Sequence, residues 1–170
     1  MATTHLKGET VNTVGDLPAV GTVAPEFVLT TTGLSDVKLS ELGRKRKLLS
    51  VVPSLDTGVC AASARAFNRA AAERENIAIL NISADLPFAA KRFCETEGIE
   101  QVEALSVMHD RSFGVDYGLE MADGPLRGIL ARAVIVLDGE NRVVYSQLVD
   151  EIAKEPDYEA ALSALDSAQG

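Results

Sequence analysis

From Leu48 to Ile82 the chain reads apolar, then helix-forming, then apolar again, and this alternation constrains the fold more than any other feature. Leu48-Leu49-Ser50-Val51-Val52 is short, apolar and closed by Pro53, the pattern of a buried strand. Ala61 to Ala72 is rich in strong helix formers, so a helix is expected over about 60–76. Ile77-Ala78-Ile79-Leu80-Asn81-Ile82 supplies a second buried strand. Such a unit implies two parallel strands joined by a right-handed crossover.

The rest of the chain extends this unit. A second helix is expected to start near Pro87, a residue suited to a first helical turn, and to end by Gly98. A short strand over Val102 to Val107 and a short helix over about Asp110 to Tyr117 follow. Ala133-Val134-Ile135-Val136-Leu137, the turn Asp138-Gly139-Glu140-Asn141 and the run Val143 to Val149 make an antiparallel hairpin. A last helix begins near Pro156-Asp157-Tyr158 and carries Ala160, Leu162 and Leu165. Residues 5–40, with short alternating pieces around Thr10–Val14 and Glu26–Thr30, read as edge hairpins beside the core sheet. Arg44-Lys45-Arg46-Lys47 reads as a solvated turn before a strand. Stripped of its decoration, the order β-α-β-α-β-β-α is an α/β, thioredoxin-like arrangement: a mixed central sheet, helices on both faces, and an N-terminal β-hairpin extension. A length of 170 residues fits one domain, 1–170.

The strand ending at Val52 leads into Pro53-Ser54-Leu55-Asp56-Thr57-Gly58-Val59-Cys60. Asp56 or Thr57 can cap the following helix, which places Cys60 in or beside its first turn. There the free backbone N–H groups and the positive end of the helix dipole favour thiolate over thiol, so a reactive cysteine is expected. The spacing Thr57-Gly58-Val59-Cys60 is that of C-x-x-C with threonine in the first position. A local dithiol is thereby excluded, and a hydroxyl stands in its place.

Other readings stand beside this one at the level of single residues. Cys60 can be a small buried hydrophobe, Thr57 a helix cap and Pro53 a strand terminator. Arg132, just before strand 133–137, can be a surface or ion-paired arginine. Cys94 can pack against Phe93, and Phe88 and Phe93 are read as core. His5 and His109 do not combine with the two cysteines at any zinc-ligand spacing. A net charge of −9 argues against a nucleic-acid partner or a polybasic membrane anchor. With no apolar leader or membrane-length segment, a cytoplasmic protein is expected, and two cysteines in a reducing compartment point to catalysis over a permanent staple.

The motif P-x-x-x-T-x-x-C over Pro53–Cys60 resembles the peroxidatic motif of peroxiredoxins. The stretches Leu55–Ala62, Ser83–Ala89 with Arg92-Phe93-Cys94, Ser146–Glu151 and Glu155–Glu159 are similar to the thiol peroxidase branch of that family. The likeness implies that Cys60 is the peroxidatic and Cys94 the resolving cysteine, joined as an intramolecular disulfide during the cycle. It also implies roles for Thr57, Arg132 and Pro53: hydrogen bonding to peroxide or sulfur, a permanent cation, and shielding of the pocket from water. Hydrogen peroxide and organic hydroperoxides would be the substrates and a thioredoxin-type protein the reductant. The enzyme would be a homodimer needing no metal, haem or flavin. A redox-switched binding protein and a structural disulfide protein are the rival readings. Because the two cysteines sit on separate helices and a disulfide needs Cα atoms within about 7 Å, local unwinding is expected in each cycle.

Overall fold

The computed structural model describes residues 1–170. The predicted strand–helix–strand unit is present as β5 (Arg46–Val51), α1 (Gly58–Ala72) and β6 (Ile77–Ser83), with β5 and β6 parallel. The first strands are β1 (Thr3–Leu6), β2 (Glu9–Asn12), β3 (Val28–Thr31) and β4 (Asp36–Lys38). After β6 come α2 (Pro87–Glu97), β7 (Glu103–Ser106), α3 (Ser112–Asp116), β8 (Ala133–Leu137), β9 (Val143–Leu148) and α4 (Tyr158–Ser167). The central sheet has seven strands in the order β4-β3-β7-β6-β5-β8-β9, and β1–β2 form a separate antiparallel pair. The sheet is mixed, because β6–β7 is parallel while β3–β7, β5–β8 and β8–β9 are antiparallel.

The alternation within each strand divides the core into two faces. Leu49, Val51, Leu80, Ile82, Ile135 and Leu137 pack on one side with Phe27, Phe113 and Tyr117. Leu48, Ile79, Val134 and Val136 pack on the other, under Phe67 of α1 and Ala161 and Leu165 of α4. Helices therefore cover both faces, as the thioredoxin-like arrangement requires. Phe67 and Tyr158 meet edge to face at 5.3 Å, which fastens α4 to α1.

Three expectations need correction. Arg46 and Lys47 do not lie in a solvated turn: β5 begins at Arg46, and Lys47 is fully buried. The central position of β5 between β6 and β8 draws Lys47 inside and leaves Arg46 half-buried, and Lys47 Nζ donates to the Gly43 carbonyl at 2.7 Å. Phe88 is not core but 66% exposed. On α2, Ala90 faces the sheet, and a residue two positions earlier is turned about 200° away at 100° per residue. α1 also ends at Ala72, earlier than expected, where Arg74 Nη1 donates to the Ala70 carbonyl of its last turn.

Candidate active site

The helix that carries Cys60 starts where a capped strand-to-helix turn places it. Thr57 is extended (φ −120°, ψ 151°), and its Oγ1 accepts a hydrogen bond from the Cys60 N–H at 3.3 Å. Of the two capping candidates, Thr57 is thus the cap. Cys60 sits in the first turn of α1, fully buried, in an apolar cluster with Val52, Leu55, Ala90 and Ala104. Pro53, also buried, closes the end of β5.

Asp85, directly after β6, fixes the turn that leads to the cysteine. Its carboxylate accepts from Ser54 Oγ at 2.8 Å, Leu55 N–H at 2.7 Å and Ser83 Oγ at 2.9 Å. Ser106 Oγ of β7 in turn donates to the Asp85 carbonyl at 2.6 Å. Sequence reasoning gave Asp85 no role. The available signal was a carboxylate just past the end of a central parallel strand, beside the turn that follows the neighbouring strand.

Cys94 lies in the last turn of α2 and packs against the same apolar cluster as Cys60. Both thiols are free. Burial pushes the Cys94 thiol above its ordinary value, and the neighbouring Glu95 adds to this. The Cys94 carbonyl accepts from the N–H groups of Gly98 and Ile99, Gly98 being in the left-handed conformation (φ 66°) that terminates α2. A cleft of about 670 Å³ runs between the Ser54–Asp56 turn and α2, with Asp85, Phe88 and Arg92 on its walls. Neither cysteine lines it.

Arg132 is 3% exposed, which removes the reading of a surface arginine. Its Nε donates to the Ile152 carbonyl at 2.8 Å, and its Nη1 is buried without a hydrogen-bond partner. No carboxylate forms a salt bridge with it. Tyr158, which packs on α1 through Phe67, has its phenol raised by burial and by Glu155, whose carboxylate accepts its hydroxyl at 2.8 Å. Ser63 of α1 and the Arg132 cation oppose that rise. The histidines are engaged elsewhere: His5 Nδ1 bonds the Asp150 carbonyl and His109 Nδ1 the Asp36 carboxylate, each at 2.9 Å.

A buried thiol in the first turn of a helix, set on a thioredoxin-like sheet with a second thiol packed against its cluster, is the chain's candidate site for thiol chemistry. A redoxin family profile matches residues 19–162. A thiol peroxidase of Corynebacterium glutamicum is 50% identical over 165 residues, 97% of this chain and 99% of that protein. A thiol peroxidase of Mycobacterium tuberculosis matches to the same extent. Among solved structures, a peroxiredoxin-like protein from Aquifex aeolicus superposes with a TM-score of 0.92 at 39% identity, covering 98% of this chain and 96% of the other. The chain belongs to the redoxin family and, within it, to the thiol peroxidases, which makes it a peroxidase. No helix is long and apolar enough to cross a membrane.

Proposed function

We propose that the chain reduces hydrogen peroxide and organic hydroperoxides through Cys60 and is recycled by way of Cys94. The observation that carries the mechanism is the Arg132 guanidinium, buried, without a carboxylate partner, and with Nη1 unpaired. An unpaired buried donor on a permanent cation is costly, by several kcal/mol on the order-of-magnitude scale for buried charge. Such an arrangement suits an anion that forms at this place, first the thiolate and then the oxygen leaving it.

In the proposed cycle the Cys60 thiolate attacks the terminal oxygen of ROOH. The S–O bond forms as the O–O bond breaks, and the departing RO⁻ takes a proton to leave as ROH, with Cys60 as the sulfenic acid. Arg132 and the helix-start N–H groups stabilise the negative charge on the separating oxygen. Thr57 already accepts from Cys60 N–H, so its hydroxyl hydrogen is available to sulfur or peroxide. Pro53 shields the centre from water. Cys94 then attacks the sulfenic sulfur, a disulfide forms and water leaves. A thioredoxin-type dithiol returns two electrons and is itself oxidised. Cys60 meets peroxide first on this reading, because the buried Cys94 thiol is held in its protonated form. The chain acts as one domain, 1–170, in a cytoplasmic homodimer; the exposed Leu86 and Phe88 offer apolar surface for contact between copies.

Peroxide consumption with thioredoxin and its reductase tests the reading. Cys60→Ser should abolish turnover. Cys94→Ser should allow one stoichiometric oxidation and lose thioredoxin-supported cycling. Full cycling by Cys94→Ser, or any by Cys60→Ser, would overturn the assignment.

A further inference from the structure

The proposed cycle uses nothing from the β1–β2 hairpin, yet the hairpin holds the segment that holds Arg132. Thr4 Oγ1, fully buried on β1, donates to the Val149 carbonyl at 2.7 Å. Ile152 N–H donates to the His5 carbonyl at 2.8 Å, and His5 Nδ1 to the Asp150 carbonyl at 2.9 Å. At the hairpin turn, the N–H groups of Lys7 and Gly8 donate to the Glu151 carboxylate at 3.1 and 3.0 Å. These bonds hold that carboxyl below its ordinary value, the Gly8 bond most strongly. Residues 149–152 are therefore tied to the hairpin at every position.

Two of these four residues grip Arg132 from two directions. Val149 N–H donates to the Arg132 carbonyl at 3.0 Å, and the Ile152 carbonyl accepts from Arg132 Nε at 2.8 Å. Val11 of β2 packs in one cluster with Ala131, the residue before Arg132, and with Ile152. Because the guanidinium is planar, fixing Nε at one carbonyl sets the direction of both Nη groups. No other hydrogen bond from the side chain competes for that role.

We propose that the N-terminal hairpin is a positioning clasp for the Arg132 guanidinium, with Thr4 and Glu151 as positioning residues acting through the Ile152 carbonyl. The inference rests on the catalytic reading of Arg132 given above. It predicts that loosening the hairpin slows the attack on peroxide specifically. A misplacement of about 1 Å can cost about a hundredfold in rate.

The test is a rapid-quench measurement of Cys60 oxidation by hydrogen peroxide in the reduced full chain, read by mass spectrometry. Thr4→Val, which keeps volume and removes the hydroxyl, should slow the second-order rate about tenfold, while Thr4→Ser should stay within about twofold of wild type. Glu151→Gln, at the surface, should slow it in the same direction and serves if Thr4→Val does not fold. On an Arg132→Lys background, Thr4→Val should add no further loss, since both act on one interaction. The clasp is overturned if Thr4→Val and Glu151→Gln both react at the wild-type rate, if Thr4→Ser is as slow as Thr4→Val, or if the losses simply add. A wild-type rate for Arg132→Lys would instead overturn the catalytic reading, and the clasp with it.

Discussion

Cys60 and Cys94 are one apolar cluster's two thiols, but they occupy opposite ends of their helices. Cys60 lies in the first turn of α1, while Cys94 lies in the turn where α2 presents its last carbonyls. The negative end of a helix dipole favours a thiol over a thiolate. For Cys94, burial and Glu95 act in that direction too. In Cys60→Ser, iodoacetamide should therefore modify Cys94 more slowly than a free cysteine at pH 7–8. Because burial and Glu95 raise this thiol above its ordinary value, the rate should climb about tenfold per pH unit through that range. A plateau reached below pH 9 would contradict this. Arg132 teaches the same lesson about context: its identity was readable in the chain, but the partner of its Nε is the Ile152 carbonyl, beyond the next two strands.

At the scale of elements, the strand–turn–helix around Cys60 is pinned by a residue on a different strand. Asp85→Ala would remove three hydrogen bonds and leave the Leu55 N–H without its partner. An unsatisfied buried donor costs about 1–3 kcal/mol, so the melting temperature should fall. Cys60 oxidation should slow as the turn loosens, while far-UV circular dichroism stays that of the wild type. An unchanged melting temperature and rate would remove Asp85 from the account. The ends at which the cysteines sit are also those that open most readily, since terminal turns hold the fewest hydrogen bonds. Local unwinding at the first turn of α1 or the last of α2 thus requires little of the core to move. Most elements were legible in sequence because their signals are local: the apolar runs of β5, β6 and β8, Pro87 at the start of α2, and Gly98 at its end. Phe88 misled because hydrophobic character alone does not tell which face of α2 a residue occupies. Lys47 misled because a charged residue's place in a central strand is set by neighbours on both sides.

Across the whole molecule, the sheet gathers residues from four separated stretches into one neighbourhood. Asp85 follows β6, the Thr57–Cys60 turn follows β5, Arg132 precedes β8, and Ile152 follows β9. The antiparallel pairing of β8 with β5 brings Arg132, next to Ala133, to the end of β5 from which the turn leaves, since Val51 pairs with Ala133. The strands themselves were legible, but the pairing of β8 with β5 was not, and the clasp of the hairpin on 149–152 involves pairs 145 positions apart. The account turns on Cys60 being oxidised first and then resolved by Cys94 of the same chain. Its most direct test is to treat the fully reduced protein with one equivalent of hydrogen peroxide, block free thiols, and map the cysteine peptides by mass spectrometry. The expected product is a Cys60–Cys94 disulfide within a single chain, preceded in Cys94→Ser by a sulfenic acid on Cys60 alone. Oxidation appearing first on Cys94, or only as disulfides between chains, would contradict it.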